Sequence, residues 1–125
     1  MKFKTLMIIK AMVCITLGIL ILLVPKFFYG LFGLVLPGNS IFPTLEYGAS
    51  LMGNAMLTGF ARNVEESKIR HAITLGMTVY NAIGFIATLI FVIIGGINYL
   101  GWGPVGINLF FSLAFGYYYI KPPKP

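Results

Sequence analysis

The stretch HAITLGMTVYNAIGFIATLIFVII, residues 71–94, decides what kind of protein this is. Its 24 residues include no aspartate, glutamate, lysine or arginine. As a helix it would extend about 36 Å, longer than the roughly 30 Å hydrocarbon core of a bilayer. It reads as a membrane span that tilts to fit. Ala72, Gly76, Tyr80, Gly84 and Thr88 recur at every fourth position and so form one slowly drifting stripe. Most of them are small, so the stripe reads as a groove for another helix. Asn81 lies beside it, near mid-membrane.

Three further apolar runs flank this one, at about residues 5–24, 45–61 and 104–120. The first ends at Pro25 and is interrupted early by Lys10, whose long stem can carry its ammonium back to the headgroups. A basic start, Met1-Lys2-Phe3-Lys4, resembles a signal peptide. No small-residue cleavage site follows, because Leu23-Val24-Pro25-Lys26-Phe27 is bulky, so the run is expected to stay as an anchor. The run at 45–61 is rich in small residues. Ala49 with Gly53, and Ala55 with Gly59, make two small-xxx-small pairs on different faces, which predicts that this helix is the most enclosed by protein. In the last run Pro104 suits a first helical turn, and Asn108, Ser112 and Gly116 repeat the spacing of four. Val13 and Gly18 match Val79 and Gly84 in spacing, too little to establish a duplicated hairpin.

The composition of the 125 residues agrees: 58% are hydrophobic and 10% charged, where soluble domains carry about 25% charged residues. A soluble chain this short has too little interior to hide so much apolar side chain. The fold class is therefore all-α, a four-transmembrane-helix bundle in a single membrane domain covering 1–125. Residues 26–44 form the longest connection. Lys26-Phe27-Phe28-Tyr29 and the short apolar run Leu31–Leu36 predict an interfacial segment between helices one and two, either a surface helix, a lid or an ordinary loop. Tyr99 and Trp102 mark the same interface in the connection 95–103.

Charge sets the expected orientation. With both termini cytoplasmic, the inner side receives Lys2, Lys4, Lys10, Arg62, Lys68, Arg70, Lys121 and Lys124, and the outer side only Lys26. That asymmetry is the positive-inside pattern. The net charge of +6 thus reads as topology and lipid contact, and no continuous basic face points to nucleic acid.

Reactive chemistry is scarce. There is no aspartate, one histidine (His71) and one cysteine (Cys14), which has no partner for a disulfide or a CxxC motif and reads as a small hydrophobe. Glu65 and Glu66 stand among Arg62, Lys68 and Arg70 as solvated charge partners. Glu46, at the outer end of the second span, is the candidate interfacial acid, across the membrane from His71. No catalytic, metal or cofactor constellation emerges, so autonomous catalysis is not expected. The informative polar residues are intramembrane: Asn54, Tyr80, Asn81, Asn108 and Ser112. They either join helices by hydrogen bonds, at about 0.6 kcal/mol per contact, or line a polar pocket.

Gly48-Ala49-Ser50-Leu51-Met52-Gly53, Gly59-Phe60-Ala61-Arg62, Tyr80-Asn81-Ala82-Ile83-Gly84 and Asn98-Tyr99-Leu100-Gly101-Trp102 together resemble a group of small prokaryotic four-helix membrane proteins, some of them called DoxX-like. The resemblance implies a multi-pass protein of the prokaryotic plasma membrane. Because some DoxX members accompany quinone-linked redox complexes, it also implies an accessory role there. Small multidrug resistance transporters are similar in size, but their mechanism uses an acid in the first span, where this chain has Lys10. The functional expectations are three: a non-catalytic subunit or partner in a membrane assembly, through self-association or other membrane subunits; a carrier of a small amphipathic molecule or lipid in a cavity between helices two, three and four; or an accessory redox subunit. Membrane lipids are partners in each.

Overall fold

The computed structural model describes residues 2–121, so Lys124, counted above on the inner side, lies outside the described residues. The chain is all-helical, with no strand among the described residues. The described residues form five α-helices, α1 (Phe3–Leu23), α2 (Pro25–Gly30), α3 (Ile41–Phe60), α4 (Ser67–Ile93) and α5 (Trp102–Ile120). They fall into two compact units, one up to Asn63 and one from Val64.

The first unit is an antiparallel hairpin of α1 and α3. Helix α1 stops at Leu23 because a residue before proline avoids the helical region; Val24 sits at φ −135°, ψ 58°. Pro25 then opens α2, where its missing N–H has no helical partner to lose. The buried side of α1 is Phe3, Leu6, Met7, Lys10, Cys14, Gly18 and Ile21, a run of threes and fours that makes one helical face. On α3 the matching face is Gly48, Leu51, Ala55 and Thr58. Cys14, Ile21, Leu51 and Ala55 form the core, with Phe28 and Tyr29 of α2 packed on it. A methyl group on Gly18 would come 3.0 Å from the Met52 sulfur and 3.3 Å from the Gly48 carbonyl, so the backbones cross closely there.

The second unit is an antiparallel hairpin of α4 and α5. Ile73, Thr74, Met77 and Asn81 are buried on α4, and Val105, Phe111 and Phe115 on α5. Gly84 faces Asn108, and Gly116 faces Thr78, which sets the register.

Each hairpin leaves a helix through the same capping device. Gly33 and Gly95 both have φ of 78°, a conformation that glycine reaches without a Cβ penalty. The amides of Leu34 and Gly96 return to the carbonyls of Tyr29 and Phe91, at 3.1 and 2.8 Å. These are the six-to-one bonds of the Schellman motif.

Several expectations need correction. Helix α3 begins at Ile41 rather than Leu45, since Pro43 fits a first turn without forfeiting a hydrogen bond. Helix α4 begins at Ser67, taking in Lys68 and Arg70. The helix with the most buried side chains is α1, not α3. Of the two small-xxx-small pairs only Ala55 and Gly59 pack, with the Gly59 position 3.7 Å from Ala11, while Ala49 and Gly53 are exposed. The expected groove on α4 is displaced: Ala72 and Gly76 are exposed, and the packed line runs through Thr74, Asn81, Gly84 and Thr88. The connection 26–44 is a short helix, a Schellman turn and a 3-10 turn at Gly38–Ser40.

Candidate functional site

A polar side chain inside a helix can return its donor to the carbonyl one turn back, which satisfies it where water is scarce. The three asparagines within the α-helices and most of the threonines do so. Asn81, with no exposed surface, donates from Nδ2 to the Met77 carbonyl at 2.7 Å. Asn108 donates to Pro104 at 3.0 Å and presents its Oδ1 towards Gly84. Thr58, Thr74, Thr78 and Thr88 donate in the same way to Asn54, Arg70, Thr74 and Gly84. No buried side-chain nitrogen or oxygen among the described residues lacks a hydrogen-bond partner.

Four of the five polar candidates, Tyr80, Asn81, Asn108 and Ser112, belong to the second hairpin. Its register places Asn81 and Ser112 at one level, a turn away from the Gly84–Asn108 contact. Asn81 is buried, and the other three are half-buried. Asn54 belongs to the first hairpin, half-buried, donating to the Ser50 carbonyl at 3.1 Å. Glu46 is exposed in the second turn of α3. Near it in sequence, Tyr47 adds to the burial that pushes the Tyr29 hydroxyl up to about 12.

Three features were missed from the sequence. Lys10 is only 3% exposed and lies on the buried face of α1, one turn from Cys14, instead of reaching out to headgroups. The spacing 3, 7, 10, 14 carried that signal, since Lys10 falls in line with apolar residues that do pack. Thr58 and Thr74 are buried polar groups, one in each hairpin, whose enclosure is not visible in residue type alone. The third feature is the end of the second hairpin where α4 begins and α5 finishes. The His71 and Tyr119 rings lie with centroids 4.4 Å apart, tilted by 31°. Lys121 Nζ stands 6.0 Å from the Tyr117 ring, the outer limit of a cation–π contact. Arg70 turns back over the preceding connection, its Nε donating to the Val64 carbonyl. Among the described residues no three of His, Cys, Asp or Glu gather as a metal site.

Two of the five helices, α1 and α4, are long and apolar enough to cross a membrane, with mean hydropathies of 2.7 and 1.9. No protein-family model matches the chain, and neither does any curated protein or solved structure.

Proposed function

We propose that the chain is a four-span integral membrane protein, with both termini on the cytoplasmic side of a prokaryotic plasma membrane, that acts as a non-catalytic subunit or partner in a membrane assembly. The observation that carries this reading is the contrast between seam and surface. The buried Thr58, Thr74 and Asn81 donate within their own helices, while the outward faces present large apolar side chains: Met12, Ile19, Phe60, Ile83, Ile86, Phe91, Leu113 and Ile120 are all exposed. In the candidate span of α4 only 11% of the residues are buried. A protein surface of that kind is solvated by lipid or by another protein.

Helices α3 and α5, with 20 and 19 residues, extend about 30 Å each, enough for a bilayer core. The basic residues clustered at the open ends of the hairpins support the proposed orientation. The DoxX-like resemblance points towards an accessory subunit too. Against a carrier stands the engagement of Asn54, Asn81 and Asn108 with carbonyls of their own helices, which leaves the amides as packing elements.

The test is recovery of the intact chain from native membranes in mild detergent. A stable co-purifying subunit or a self-associated form is expected. A lone monomer without partner would overturn the reading. Replacing Asn54 with Leu separates it from the carrier: assembly should survive with a modest stability change, whereas a carrier would lose transport. A reporter on the C terminus found outside the cell would reverse the orientation.

A further inference from the structure

We propose that α2 and the turn after it form a lipid-inserted wedge, with Phe27, Leu31 and Val35 buried at the headgroup–acyl boundary of the leaflet in which α1 ends. The proposal rests on the membrane reading above and deepens it by assigning this connection one partner, phospholipid.

Helix α2 has six residues, too few to hold a helix alone, so its rotation is set by what it packs on. Phe28 and Tyr29 pack on the core of the first hairpin. The Phe28 ring also meets the Tyr29 and Phe32 rings edge to face, with centroids 5.2 and 5.4 Å apart. With that side turned inward, the other side is fixed outward. Phe27 and Leu31 stand on it one turn apart, the Leu31 amide donating to the Phe27 carbonyl at 3.3 Å, and both side chains are exposed. Beyond the Gly33 turn, Val35 is 91% exposed. A lid would have to give up the Phe28 and Tyr29 contacts in order to move. A solvated loop would leave three apolar side chains in water.

Continuity and charge say what covers them. Leu23 and Val24, exposed at the end of α1, lead directly into α2. Helix α1 is long and apolar enough to cross a membrane, so exposed apolar side chains continue from that span into the wedge. No charged residue occurs from 27 to 45, whereas the connection 61–66 carries Arg62, Glu65 and Glu66. Lys26 is exposed at the start of α2, where its stem can lie along acyl chains with the ammonium among headgroups. A cation beside outward aromatic and aliphatic side chains is the chemistry of a helix lying in a membrane interface.

The test is depth-dependent fluorescence quenching of the full chain in phosphatidylcholine vesicles. Trp102 is the one tryptophan, so Trp102→Phe gives a silent background. Into it go Phe27→Trp, Val35→Trp, Asn63→Trp and Ile83→Trp, one at a time, all at exposed positions. The quenchers are acrylamide in the water and phospholipids brominated high or low on the acyl chain. Phe27→Trp and Val35→Trp should respond most to the high bromine, at a depth of about 5–10 Å into the headgroup–acyl boundary. Acrylamide should quench both less than it quenches Asn63→Trp, in the charged connection. Adding phosphatidylglycerol should leave their depth unchanged, because the contact is apolar. The wild-type chain supplies an arm that needs no variant to fold: a phospholipid with a diazirine high on its acyl chain should leave adducts within residues 27–35. Quenching of Phe27→Trp or Val35→Trp by acrylamide and not bromine would make the segment a solvated loop. Quenching by neither would mean that protein covers it. Either result, a depth that follows headgroup charge, or a wild-type chain without adducts at 27–35 would overturn the proposal. Ile83→Trp, midway along α4, should respond to the low bromine. If it too escapes bromine, the membrane reading itself fails; if only positions 27 and 35 escape, only the wedge does.

Discussion

The two hairpins solve the same problem with different materials. Each pairs two helices of about bilayer length, leaves a helix through a Schellman glycine, α2 in the first and α4 in the second, and turns a glycine into the seam, Gly18 in the first and Gly84 in the second. The fillings differ. The first seam holds Lys10, Cys14 and Leu51 around a glycine whose nearest neighbour is the flexible thioether of Met52. The second is filled by the rings of Phe111 and Phe115 and by a buried amide, with Gly84 set against the hydrogen-bonded Asn108. A thioether can move aside; an amide tied to its own helix moves less readily. The first hairpin should therefore tolerate crowding at its crossing, and the second should not.

The largest expected effect comes from emptying a seam. Phe115 is fully buried, and Phe115→Ala should cost about 3–5 kcal/mol in the unfolding of the second hairpin. Leu51→Ala should remove about 2–5 kcal/mol from the first. Reversible unfolding in mixed micelles, followed by far-UV circular dichroism, measures both. Equal losses would erase the distinction between an aromatic and an aliphatic seam.

Crowding the crossing is the sharper version of that comparison. A methyl group at Gly84 would stand 2.8 Å from Asn108 Oδ1, so Gly84→Ala should cost about 1–3 kcal/mol. At Gly18 the methyl meets the Met52 sulfur at 3.0 Å, which can swing away, so Gly18→Ala should cost less. The same unfolding assay ranks them. The reverse order would mean that the nearby Gly48 carbonyl, not Met52, limits the first crossing.

Much of this plan could be read beforehand, and the misses have a common cause. The long apolar runs, the break at Pro25, the small residues of α3 and the in-line polar residues Asn81 and Asn108 were all legible, because periodicity and hydropathy act along one chain. Which face meets a neighbour is not local. The stripe of fours on α4 drifts, so Ala72 and Gly76 had turned out of the seam by the time Gly84 and Thr88 were in it. Lys10 was read by its charge and not by its position on the apolar face. For the candidate polar cluster, residue type was legible but engagement was not: an asparagine bonded to its own previous turn and one aimed at a pocket look alike in sequence.

A smaller asymmetry lies in α2, which only the first hairpin possesses. Tyr29 packs there on the core, and burial, with a lesser effect of Tyr47, pushes its hydroxyl up to about 12 from the ordinary tyrosine value. Below about pH 10 the phenol is neutral in folded and unfolded chains, and its packing contributes fully. As pH rises from about 10 towards 12 the unfolded chain ionises first, so stability is lost through that window. The difference in 295 nm absorbance titration between the wild type and Tyr29→Phe should show a midpoint near 12, and Tyr29→Phe should flatten the alkaline loss. A midpoint at the value of free tyrosine would detach α2 from the core.

The smallest effects should come at glycines that face outward, and their sign is informative. A methyl group at Gly53 on α3 or Gly76 on α4 meets nothing within 4 Å. In a helix interior alanine is favoured over glycine by up to about 1 kcal/mol, so both substitutions should leave the isolated chain slightly more stable or unchanged. In a membrane assembly, however, a small residue on an outward face is where a second helix can approach closely. If Gly53→Ala stabilises the chain in detergent yet weakens recovery of its assembled form, α3 carries a contact to a partner that the hairpin itself does not use. If Gly76→Ala shows that split instead, the contact lies on α4. Neutrality in both assays would leave the outward faces to lipid.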